Sequence, residues 1–204
     1  MAEYRNLDVR EAIRQAKELP QPTDTTATTI VPLAEAMLPF DDVIDSLCKW
    51  RSENQFAFLK LSNISIESTN NWATQIIYSK DRILWMIRHQ GKFVGHIGFA
   101  NFGRGYEICD VIRGEPSHFS VMQDALKQVI NWATRSNINR IILHVASDVI
   151  PALGLYQRLG FVPTQMIPLT KISNGAEISW VETENSTGPW DRFMLRLEYI
   201  PGRK

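Results

Sequence analysis

Residues Tyr106 to Ala146 constrain the fold more than any other stretch, because they read as strand, helix, strand with little chain left over. Tyr106 to Ile112 forms the first strand. From Phe119 the apolar residues Phe119, Met122, Leu126, Val129, Ile130 and Ala133 recur at helical spacing. The run Ile141-Ile142-Leu143-His144-Val145-Ala146 is short, apolar and rich in β-branched residues, as in a strand covered on both faces. Such a unit closes as a right-handed crossover, so the two strands are predicted to be parallel and side by side or nearly so. An open sheet binds its ligand at the carboxyl ends of parallel strands. That edge falls where the Tyr106 strand runs into the helix at Phe119.

The flanking chain supplies the rest of a mixed sheet. Ile83 to Ile87 and Lys92 to Phe99 read as a hairpin turned at Gln90-Gly91, and further strands are predicted at Val162–Leu169, Glu177–Val181 and Arg192–Tyr199. Helices are predicted from Asp41 to Trp50, where the acidic start suits the helix dipole, and from Glu67 to Tyr78. Between them Phe56, Phe58 and Leu61 make a loop too apolar for a solvated linker. Leu7 to Leu19 suits a short charged helix, ended by Pro20-Gln21-Pro22 and followed by a threonine-rich stretch. Residues 1–28 therefore read as an N-terminal appendage, helix plus flexible linker. Residues 29–204 read as one α+β domain with a central sheet of about six to seven strands flanked by helices.

With 22 basic and 22 acidic side chains, the formal charge is zero and no global basic field exists to attract nucleic acid. No window approaches the ~20 apolar residues of a membrane span, and no signal-peptide core opens the chain. Two distant cysteines, Cys48 and Cys109, suggest neither a disulfide framework nor a metal site, and a reduced cytoplasm is the expected setting. His89, His96, His118 and His144 show no ligand spacing, so no metal is expected. The absence of a G-x-S-x-G elbow argues against a serine hydrolase.

The segment D-V-I-P-A-L-G-L-Y-Q-R-L-G-F, Asp148 to Phe161, places Tyr156 on a short helix after the buried strand and closes with Gly160-Phe161. That order resembles the end of the acetyl-CoA site in GNAT superfamily N-acetyltransferases. The resemblance is close from Arg82 to Phe161 and loose from about Ile30 to Tyr199. It implies a V-shaped splay between two parallel strands, acetyl-CoA as co-substrate, and attack of a bound amine on the thioester in a ternary complex. Backbone at Val111, Ile112 and Arg113 would take the pantetheine arm as an added strand. Tyr156 would lie near the coenzyme sulfur and protonate the leaving thiolate, although an aromatic there also suits simple packing on the sheet.

Two departures from the family pattern bear on the coenzyme. The phosphate loop usually reads Gln/Arg-x-x-Gly-x-Gly/Ala, whereas Arg113-Gly114-Glu115-Pro116-Ser117-His118 carries Pro116 and His118 where glycine or alanine is expected. Either Ser117, His118, Phe119 and Ser120 still offer amides to phosphate at the helix start, or the coenzyme site is weakened or lost. Ser117 alone also suits a plain helix N-cap. Val149 stands where asparagine is usual, removing a polar contact.

For the base, Glu107 occupies the place of a catalytic glutamate in histone-type members, with Asp110 next and His96 behind it. Strand alternation puts Glu107, Cys109 and Val111 on one face and Tyr106, Ile108, Asp110 and Ile112 on the other, unless a bulge switches them. The acceptor would approach over Trp50, Arg51, Phe56 and Trp72, residues that equally suit a core. W-R, D-R-I-L, G-H-I-G and R-G-E are similar to bacterial acetyltransferases of surface-polysaccharide and nucleotide-sugar pathways. The implied acceptor is a small primary amine, an amino sugar or its nucleotide-linked form. The alternatives are an inactive coenzyme A or ligand-binding module and a protein or peptide N-acetyltransferase. A homodimer is the one assembly kept open.

Overall fold

The computed structural model describes residues 9–18, 28–34, 41–61, 63–103, 105–115, 119–174, 177–183 and 192–201. Helix α1 (Val9–Glu18) and strand β1 (Thr29–Pro32) lead into α2 (Asp41–Glu53), a 3-10 turn at Gln55–Ala57, β2 (Lys60–Leu61) and α3 (Ile66–Tyr78). The hairpin β3 (Arg82–His89) and β4 (Lys92–Asn101) is followed by β5 (Tyr106–Arg113), α4 (Phe119–Arg135), β6 (Ile141–Ala146) and α5 (Ile150–Arg158). Strands β7 (Val162–Asn174), β8 (Glu177–Glu182) and β9 (Arg192–Tyr199) complete the fold.

These strands form one mixed sheet in the order β1-β3-β4-β5-β6-β9-β7-β8-β2. The predicted crossover is present: β5 and β6 are neighbours and parallel, and the other pairs are antiparallel. The sheet has nine strands among the described residues, where six to seven are predicted, because β1 and β2 are short edge strands of four and two residues. So brief a segment leaves no periodicity to read.

Each face has its own core. On one, α1, α4 and α5 cover Ile83, Trp85, Ile97, Phe99, Ile108 and Leu143, with Trp132 edge-on to Trp85 at 4.9 Å. On the other, α2 and α3 set Leu47, Trp50 and Ile76 against Leu84, Met86 and Ile112. Each large side chain buried this way stabilises the fold by about 1.5–3 kcal/mol. Helix α1 belongs to this packing rather than hanging from it as an appendage. Its Ala12, Ile13 and Ala16 are buried, and Lys17 Nζ donates to the carbonyls of Ile76, Ile77 and Ser79 at 2.8–2.9 Å, capping α3.

Strand β5 carries the feature that shapes the site. Its register with β4 shifts between Gly98↔Cys109 and His96↔Ile112, and Asp110 takes a positive φ of 47°. The strand bulges there. Ile108 consequently points to the α4 side and Ile112 to the α2 and α3 side, although their spacing predicts one face. The predicted alternation thus holds only up to Cys109. Gly98 permits this close approach, since a Cβ there would lie 2.9 Å from the Cys109 carbonyl oxygen and 3.0 Å from Asp110 Oδ2.

The bulge coincides with a divergence. Pairing of β5 with β6 covers Tyr106↔Ile141, Glu107↔Ile142 and Ile108↔Leu143, while β6 stays paired with β9 through Ala146. From Cys109 onward β5 turns away, leaving a wedge open at the carboxyl ends of both strands.

Candidate active site

The wedge is hollow. A cavity of about 540 Å³, within the range of ligand sites, is lined by Val111, Ile112, Arg113 and Gly114 from β5 and its exit. Val149, Ala152, Leu155 and Tyr156 line it from α5, and Glu53, Phe56 and Ala57 from the α2 end. Along this edge the main chain of residues 109–113 pairs with β4 on one side only, so among the described residues no strand covers the other. An extended ligand can add there as a strand would.

Tyr156 reaches the cavity because of how α5 begins and ends. Pro151 sits in the first turn, where its missing N–H is harmless and its fixed φ is already helical. At the far end Gly160 takes φ 93°, and the chain folds back so that the Phe161 amide donates to the Tyr156 carbonyl at 3.1 Å. Phe161 is then buried edge-on to the Tyr156 ring, at 6.1 Å between centroids. Burial pushes the Tyr156 phenol above its ordinary pKa, which leaves it protonated at neutral pH but a weaker acid than an exposed phenol.

Glu107 does not line the cavity. It lies on the sheet face opposite Tyr156, and its Oε1 is 3.0 Å from Nδ1 of His144 on β6. Reading the chain did not single out His144. The signal is the parallel register, which pairs Glu107 with Ile142 and so sets His144 diagonally across on the same face.

Asp110 is held at the bulge rather than aimed into the wedge. Its carboxylate accepts from Arg82 Nη2 at 3.0 Å, and its carbonyl accepts from Nδ1 of the buried His96 at 2.6 Å. Burial lowers the His96 pKa to about 4, and its Nε2 is buried without a hydrogen-bond partner, so the ring is neutral with its proton on Nδ1. Burial also raises the Cys109 thiol well above its ordinary range, which removes it as a thiolate nucleophile.

Of the four residues expected to meet the acceptor, only Phe56 lines the cavity, and it is 58 % exposed at the mouth. Trp50 is buried, with its indole against Gly114, so closely that a Cβ at Gly114 would lie 2.1 Å from it. Arg51 stacks on Trp72 at 4.2 Å, and both indoles flank His96 at 6.0–6.3 Å between centroids. Trp50, Arg51 and Trp72 therefore pack beneath β4 and β5 and do not line the cavity. Arg192 clasps the mouth, donating to Asp148 Oδ1 at 2.8–3.0 Å and to the Phe56 carbonyl at 2.9 Å.

Among the expected coenzyme contacts, Val111, Ile112, Arg113 and Tyr156 meet at the cavity. Ser120 is exposed in the first turn of α4. Ser117 and His118 lie outside the described residues, as does the Phe119 side chain. The Gly114 and Glu115 amides both donate to the Val94 carbonyl, at 2.9 and 3.1 Å. Among the described residues, no group of three His, Cys, Asp or Glu side chains could hold a metal, and no helix is long and apolar enough to cross a membrane.

A family model described as the acetyltransferase (GNAT) family matches residues 44–161. Solved structures share the fold at low identity. A probable GNAT-family acetyltransferase from Chromobacterium violaceum is 12 % identical, with a TM-score of 0.62 over 89 % of this chain and 93 % of that one. The putative acetyltransferase yncA of Salmonella typhimurium, solved with acetyl-CoA, is 14 % identical, with a TM-score of 0.61 over 88 % and 96 %. RimL, the ribosomal L7/L12 alpha-N-protein acetyltransferase, gives 0.63 at 16 % identity in its apo form, over 89 % and 98 %. No curated protein matches the chain in sequence.

Proposed function

Because this chain belongs to the GNAT acetyltransferase family, we propose that it transfers the acetyl group of acetyl-CoA to a primary amine of a small molecule by direct attack in a ternary complex. The observation that carries this reading is the hollow wedge between β5 and β6 with Tyr156 in its wall.

The main chain of Val111 to Arg113 binds the pantetheine arm along its uncovered edge, and an amide there polarises the thioester carbonyl. The start of α4, at Phe119 and Ser120, offers amides to the diphosphate. Tyr156, in the cavity wall, donates its proton to the departing thiolate. The amine gives up its proton on the sheet face that carries Glu107. Phe56, at the mouth, offers an aromatic surface to the acceptor, which we take to be an amino sugar or its nucleotide-linked form.

Two measurements test the reading. Titration with coenzyme A should raise the melting temperature, since a ligand that binds only the folded chain stabilises it. Tyr156→Phe should lower turnover about 10²-fold with coenzyme affinity unchanged. No stabilisation at millimolar coenzyme would favour a module that has lost catalysis, a reading the occupied Gly114 and Glu115 amides support. Transfer to peptides with no transfer to nucleotide-linked amino sugars would replace the small-molecule acceptor with a protein one.

A further inference from the structure

We propose that His144, positioned by Glu107, is the base that takes the proton from the acceptor amine. The proposal rests on the acetyltransferase reading above and assigns a residue to it. A carboxylate can only accept hydrogen bonds, so the 3.0 Å contact with Glu107 Oε1 fixes the proton of neutral His144 on Nδ1. Nε2 then carries the lone pair. Of the two side chains the imidazole is the more open, 29 % exposed against 17 % for the carboxylate. This is the order of a base held by an acid: the carboxylate sets the tautomer and stabilises the imidazolium once formed.

The place in the fold fits. His144 lies one residue beyond Leu143, the last residue of β6 paired with β5, and therefore at the fork where the wedge opens. Its side chain is on the face opposite the α5 helix that carries Tyr156. The base and the acid thus lie on opposite faces of the sheet, the base at the fork and the acid in the cavity wall. His144 Nε2 takes one proton from the ammonium, and the freed lone pair forms the C–N bond with the thioester carbonyl carbon. The C–S bond breaks with its electrons on sulfur, which takes the Tyr156 proton. The second amine proton passes through water to restore the phenol, and imidazolium returns its proton to solvent.

Steady-state kinetics with acetyl-CoA and the best amine from a panel of nucleotide-linked amino sugars, free amino sugars and short peptides test this. His144→Gln should reduce kcat about a hundredfold with the acetyl-CoA KM unchanged and should remove the acid limb of the kcat/KM pH profile. His144→Ala should regain activity with added imidazole. Glu107→Gln should lower kcat less than His144→Gln does and keep the acid limb, as a positioning residue would. An active wild type with an equally active His144→Gln, or with a Glu107→Gln that loses the acid limb while His144→Gln keeps it, overturns the proposal and leaves the acetyltransferase reading standing. A wild type that binds coenzyme A but acetylates none of the panel overturns both.

Discussion

The imidazole of His96 lies 2.6 Å from the carbonyl oxygen of Asp110, joining the middle of β4 to the bulge of β5. Because β5 leaves β6 beside that bulge, this bond fixes one wall of the wedge. It also makes the wall sensitive to acid.

His96 is buried and neutral, with its pKa lowered to about 4, against ~6.5 in an unfolded chain. Between those values the unfolded state binds the extra proton, so the stability due to neutral His96 is full above about pH 6.5 and is lost as pH falls toward 4. The loss should reach about 3 kcal/mol. Urea midpoints at pH 7.5 and 4.5 check this, and His96→Gln should show a clearly smaller drop.

Asp110 holds a left-handed backbone that asparagine and glycine adopt at little cost and β-branched residues do not. Asp110→Asn should retain turnover within a few-fold, whereas Asp110→Val should destabilise by about 2 kcal/mol and weaken coenzyme A binding. Calorimetric titration of both variants checks the contrast. A hundredfold loss of turnover in Asp110→Asn would return the carboxylate to the chemistry.

Gly114 leaves room for the Trp50 indole and nothing more. Gly114→Ala should destabilise by about 1–3 kcal/mol, because an indole buried between α2 and the sheet has nowhere to yield. Combining it with Trp50→Leu should cost less than the two single changes summed. Thermal melts of the four proteins close the cycle.

Lys17→Met should free α1 while sparing the sheet, since it leaves the carbonyls of Ile76, Ile77 and Ser79 without their shared donor. The expected loss is about 1–3 kcal/mol. Hydrogen exchange should quicken in residues 9–18 and stay slow in β3 and β4.

What could be read from the chain is what local pattern governs. The hairpin, the crossover and the Asp148–Phe161 block each show in a few neighbouring residues, and Tyr156 came with them. The bulge did not show its place, because nothing adjacent to Asp110 marks a non-glycine residue for positive φ; its cause lies across the sheet in Gly98, His96 and Arg82. Nor did the Glu107–His144 pair, which exists only once a parallel register is fixed. That Trp50 and Trp72 pack away from the cavity lining was hidden for a related reason. An aromatic beside an arginine looks the same in sequence whether it faces a ligand or underlies two strands.

Strand β9 sits between β6 and β7, so this 8-residue element joins two strands that precede it in the chain. Until Arg192–Tyr199 has left the ribosome, β6 keeps a bare hydrogen-bonding edge and β7 has no neighbour on that side. Assembly of the sheet must wait until synthesis has passed Tyr199, and a nascent chain stalled before Arg192 offers the sticky border from which aggregates grow.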